Sequence, residues 1–160
     1  MERESDGAAT RLCLEDFTPG RVFELGTGSL TEAEIIDFAR LWDPQQMHLS
    51  PESAAAGQFG GLVASGWQTA CLWMRMYVHA VLNHAEMFAA PGVEQLRWWA
   101  PVRPGMTLVG RATVIEAWAS DRDPGRGTIR FVGEFRDAQG NQVMSMQARG
   151  HARRRQEEEG

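Results

Sequence analysis

A chain of 160 residues and 17.8 kDa suits one domain, and 43% hydrophobic with 23% charged residues gives it the means for a packed core, which argues against wholesale disorder. The net charge of -5 and pI of about 5.4 argue against a general nucleic-acid binder. The polar start MERESDGAAT has no apolar signal core, the most apolar segment (60–74) contains Ser65 and Gln68 and ends at Arg75, and Cys13 and Cys71 belong to no CxxC or metal-spaced cluster, so the expectation is a reduced cytoplasmic protein with no membrane or nucleic-acid partner and no metal.

Residues 1–10 read as a loose leader, 11–152 as the domain and 153–160 as a polar tail. RVFELGTGS (21–29) alternates and ends in glycines, as a short strand does. In TEAEIIDFARLW, Thr31 and Glu34 form a capping box, and Ile35, Phe38, Ala39 and Trp42 make one apolar helical face. Pro44 biases Asp43 out of helical geometry and stops the helix there. Ser50-Pro51 starts a second, small helix that ends near Gly57. From Ser65 or Gly66 to Leu82 the spacing predicts a helix apolar nearly all round, hence buried, which makes Arg75 on it an oddity needing a partner. Strands follow at 93–99, 106–118, 128–136 and 142–152, the last two joined by the turn DAQGN. Strands in a run after helices point to α+β: a curved antiparallel sheet wrapped around the long central helix, the hot-dog shape.

The chemistry-bearing stretch is WDPQQMHLS (42–50), which places Asp43 five positions before His48 with a proline between them. Spacing alone fits a helix stop and a loop histidine at least as well as an active site. The whole order is more specific: Asp43-Pro44-Gln45-Gln46-Met47-His48, a small helix, FGGLVASGW, a long apolar helix, then WAPVRPGMTL. Over about residues 15–152 this resembles the MaoC-like hydratase/dehydratase family, whose pattern runs Asp-x-Asn-Pro-x-His into a glycine-rich run and a central helix. Gln45 and Gln46 stand where that pattern has asparagine and proline, Ser65 where a histidine often precedes the helix glycine, and Met106 where an acid usually follows the PV-x-PG turn.

The resemblance implies reversible hydration of a 2-enoyl thioester to an (R)-3-hydroxyacyl thioester, with coenzyme A or acyl carrier protein as carrier, no further cofactor, and a homodimer or higher homo-oligomer. The residues suit that chemistry. An acid and an imidazole gripping one water can share its activation and the proton delivery to C2, so Asp43 and His48 are the catalytic candidates. As a loop acid with no evident partner, Asp43 should add little to stability. Backbone donors at a helix start suit a developing thioester oxyanion, and the resemblance gives that role to the N–H of Gly66. Gln45, Gly61, Ser65 and Trp67 are further substrate-contact candidates, each with a plainer reading: loop hydrogen bonding, backbone necessity, helix cap, and core or interface. Trp98 and Trp99 should point to opposite faces of a strand, one to the core and one to an interface. The arginines, including Arg97, Arg103, Arg149 and the 153–155 run, read as solubility or as contacts to coenzyme A phosphates.

Two other functions compete. A hot-dog thioesterase usually carries an acid on the central helix, and 66–82 has none. A non-catalytic acyl-thioester-binding or regulatory module would keep the fold and tolerate Gln45-Gln46. Turnover of a short enoyl-CoA separates these from a hydratase.

Overall fold

A computed structural model describes residues 11–156. Strand β1 (Val22–Gly28) leads into helix α1 (Glu32–Trp42), the short helices α2 (Gln46–Leu49) and α3 (Pro51–Ala55), and the long helix α4 (Gly66–Ala80). Strands β2 (Met87–Trp98), β3 (Leu108–Ala119), β4 (Arg126–Asp137) and β5 (Gln142–Arg153) complete it. All five strands form one antiparallel sheet in the order β1-β3-β4-β5-β2, laid against α4. This is the expected hot dog.

Local chemistry sets the element ends. The α1 capping box is present: Thr31 Oγ accepts from the Glu34 N–H at 3.2 Å and Glu34 Oε2 accepts from the Thr31 N–H at 2.7 Å. Asp43 closes α1, its N–H donating to the Ala39 carbonyl at 3.0 Å, and Pro44 follows. Ser50 caps α3, whose first residue is Pro51; α3 ends at Ala55, slightly short of the expected Gly57. Gly105, with φ of +75°, turns the PVRPG segment so that its N–H reaches the Leu30 carbonyl at 2.8 Å.

Four expectations need correction. First, α4 is buried on one side only: Leu72, Trp73, Met76 and Tyr77 face the sheet, while Trp67, Cys71, Met74 and Arg75 are exposed. One five-stranded sheet covers one face of a helix, so Arg75 stands in solvent and needs no buried partner. Helical structure also stops at Ala80, with a separate 3₁₀ turn at Leu82–His84. Second, Trp42 lies outside the apolar face of α1; it is 73% exposed, and Ile35 and Ala39 carry the burial. Third, β2 starts at Met87 rather than 93. Pro91 and Gly92 mask it in the sequence, and here the register against β5 slips; a proline is tolerated because β2 is an edge strand. Fourth, the tail is not free at 153: Arg153 ends β5, and Arg154 and Arg155 pair with Glu15 and Asp16. Those ion pairs also argue against a free phosphate-binding run. The expected leader, 1–10, and residues 157–160 lie outside the described residues.

The core fills the space between α4 and the sheet. Trp73, wholly buried, donates its indole N–H to the Arg111 carbonyl on β3 at 3.1 Å. It stacks on Tyr77 at 4.9 Å and on Phe131 at 6.1 Å between ring centroids. Gly133 on β4 makes the room, since a Cβ there would fall inside the indole's van der Waals surface. Ile129, Phe131 and Phe135 alternate inward along β4 as their spacing predicts.

Candidate active site

The stop after α1 and the unexpected helix α2 bring two side chains together. Pro44 turns the chain out of α1, and α2 then swings His48 inward, where it is 5% exposed. The His48 Nδ1 lies 2.7 Å from the Val63 carbonyl oxygen. A carbonyl only accepts, so Nδ1 carries the hydrogen and, in the neutral ring, Nε2 is left as an acceptor. Nε2 faces Asp43 Oδ2 at 3.4 Å.

Asp43 is held from both sides. Gln45 Nε2 donates to its Oδ1 at 2.7 Å and Ser65 Oγ donates to its Oδ2 at 2.7 Å. The Gln45 and Ser65 hydrogen bonds hold the carboxyl below the ordinary carboxylate range, with burial opposing them and His48 adding a smaller pull downward. The expectation of a loop acid without partners is therefore wrong, because the partners come from residue 45 and from the start of α4. Ser65 does two things at once: besides donating to Asp43, it accepts from the Trp67 N–H at 3.3 Å and so caps α4. Gln45 and Ser65 are the two side chains that fix the carboxylate.

These groups open on a cavity of about 390 Å³ lined by Asp43, Gln45, His48, Gly66, Trp67 and Thr69, with Met47, Phe59 and the segment 98–102 as its other walls. Gly66 is the first residue of α4, so its N–H belongs to the donors a helix leaves unpaired, at the positive end of the dipole. A Cβ on Gly66 would lie 2.5 Å from the Trp98 ring. Trp98 in turn meets Trp67 edge to face, centroids 5.4 Å apart. Trp98 and Trp99 both line the cavity and neither reaches the core, correcting the expectation of one core face; Trp99 donates its indole N–H to Ser145 Oγ at 2.8 Å. Gly61 is not among the lining residues and packs against Arg103, which donates to the Phe59 carbonyl. Arg149 pairs with Glu94. Among the described residues, no group of three or more His, Cys, Asp or Glu is placed to hold a metal ion, and no helix is long and apolar enough to cross a membrane.

The structure brings the candidates Asp43, His48 and Gly66 to one cavity, and it adds a group that the sequence did not point to, the carbonyl of Val63, which fixes the histidine tautomer. A backbone group carries no residue-type signal. Two hydrogen bonds deliver it: Val63 N–H to the Met47 carbonyl at 3.1 Å, and Ala64 N–H to the Val102 carbonyl at 2.8 Å, which ties the site to the PVRPG turn.

Residues 16–130, more than half of the chain, match the model of the MaoC like domain. The chain belongs to this family. It is similar to the crystal structure of the MaoC-like dehydratase from Rhodospirillum rubrum, with a TM-score of 0.84 and 35% identity, covering 91% of this chain and 99% of that one. Among curated relatives, the uncharacterized protein YdeM of Bacillus subtilis is 29% identical over 116 residues, 72% of this chain and 79% of its own length. The 3-hydroxyacyl-thioester dehydratase Z of Mycobacterium tuberculosis is 29% identical over 104 residues, 64% of this chain and 66% of its own length.

Proposed function

We propose that this protein is an acyl-thioester hydratase/dehydratase, adding water reversibly and syn across a 2-enoyl-CoA or 2-enoyl-acyl-carrier-protein thioester to give the (R)-3-hydroxyacyl thioester. One observation carries the reading: Asp43 Oδ2 and the acceptor nitrogen of His48 face each other across 3.4 Å at the cavity wall. Two acceptors this close repel unless a donor bridges them, and a water on the cavity side of the pair has two O–H groups to give, one to each.

The steps follow from the donors. The two hydrogen bonds it accepts make Asp43 a stable anion and a poor base, so it orients the water and His48 Nε2 takes the proton. The water oxygen bonds to C3 as that O–H bond breaks. The π electrons of the enoyl group move toward the thioester oxygen, whose charge meets the Gly66 N–H. The imidazolium, paired with Asp43 while it lasts, returns the proton to C2. Hydrogen and hydroxyl thus add to one face, which is syn addition. The step is redox-neutral, and coenzyme A enters only as part of the substrate.

The similarity to the 3-hydroxyacyl-thioester dehydratase Z of Mycobacterium tuberculosis supports the same reaction class. Helix α4 carries no acid, which disfavours thioester hydrolysis. The test is turnover of crotonyl-CoA, followed by loss of the enoyl thioester and chiral analysis of the product. Asp43→Asn and His48→Ala should each lose roughly 100- to 10,000-fold, and the double variant little more than the worse single, because both act on one water. Tight acyl-CoA binding without turnover of any enoyl thioester would instead make the protein a binding module.

A further inference from the structure

The buried stripe of α4 sets how far an acyl chain can reach. Ser65, Thr69, Trp73 and Tyr77 recur every four residues on the face turned to the sheet, all at most 4% exposed. Ser65 holds the carboxylate and Thr69, one turn on, lines the cavity. The next turn is closed: Trp73 fills the gap between helix and sheet, locked by its bond to Arg111, stacked on Tyr77 and Phe131, and seated over Gly133. The opposite wall is blocked by Trp98, whose ring lies against Gly66 and Trp67.

Resting on the hydratase reading above, we infer that the protein is specific for short acyl thioesters of roughly four to six carbons, because only the one turn of α4 between Thr69 and Trp73, about 6 Å, separates the site from a closed ring stack. The stop is built from core residues and is therefore rigid. Thr69 is the side chain at the end of the acyl channel and Trp73 is its end wall.

The experiment measures binding as well as turnover. Calorimetric titration with butyryl-, hexanoyl-, octanoyl- and decanoyl-CoA should show affinity that holds to six carbons and falls at least 10-fold by ten. Turnover of the matching 2-enoyl-CoA series should fall in parallel. Thr69→Leu should move the cutoff down, weakening binding of hexanoyl-CoA at least 10-fold more than that of butyryl-CoA. Trp73→Leu should move it up; since it removes core volume, its folding is checked by thermal melting, and Thr69→Leu carries the test if it does not fold. Affinity that rises steadily to decanoyl-CoA, a cutoff unmoved by Thr69→Leu, or no acyl-CoA binding at all would overturn the inference. Binding with the expected cutoff but no turnover of any enoyl-CoA would leave the size limit standing and remove the hydratase reading.

Discussion

Asp43 links chemistry to folding. Its carboxyl is held below the usual range by Gln45 and Ser65, so its folded pKa lies under its unfolded value of about 3.9. The stability it contributes is present above that value and lost as pH falls through the lower folded one. Asp43→Asn should therefore cost about 1–2 kcal/mol near neutrality, and the gap to the parent, read from urea midpoints, should shrink below about pH 4. Gly66 makes a second case. Adding a Cβ meets Trp98 before it meets any substrate, at 2.5 Å, so Gly66→Ala should lower both melting temperature and turnover. Pairing it with Trp98→Ala should restore the melting temperature. If the single variant melts like the parent, the contact with Trp98 does not constrain this position.

At the scale of elements, the parts legible in the sequence were those set by neighbours along the chain. The capping box of α1, the stop at Pro44, the cap at Ser50 and the alternation in β4 each depend on a few adjacent residues. Removing the box should cost accordingly: Thr31→Ala should lose about 1 kcal/mol, seen as a lower denaturation midpoint with little change in the slope. What could not be read depended on contacts far along the chain. The first half of β2 follows β5 despite Pro91, and helix α2 forms against the segment that carries Val63. The one-sided burial of α4 was hidden for another reason. Trp67, Cys71 and Met74 are as apolar as a core face, and residue type does not say which side meets the sheet. In the site, Asp43, His48 and Gly66 were marked by motif order, whereas the grip of Gln45 and Ser65 on the carboxylate became visible only with both side chains in place.

At the scale of the molecule, the sheet ends on β2. This strand pairs only with β5 among the described strands, and Phe88 and Val93 on it are exposed. A long, open, apolar edge invites a second copy, so the protein should sediment as a homodimer, twice the 17.8 kDa of one chain. Val93→Arg should shift it toward monomer in light scattering at micromolar concentration. A parent protein that is cleanly monomeric there would show that the edge stays unpaired. Because β2 runs directly into Trp98 and Trp99 at the cavity, the monomeric variant should also turn over more slowly.

The fit of Trp73 over Gly133 has a consequence for how this chain can change by descent. A smaller residue at 73 leaves a hole beside 133, and any side chain at 133 collides with the indole. Each step is damaging alone, and each is the repair of the other. A lineage can therefore cross between the two arrangements only by passing through a weakened intermediate, or by changing both positions together. Positions 73 and 133, on different elements and sixty residues apart in sequence, should be inherited as a pair.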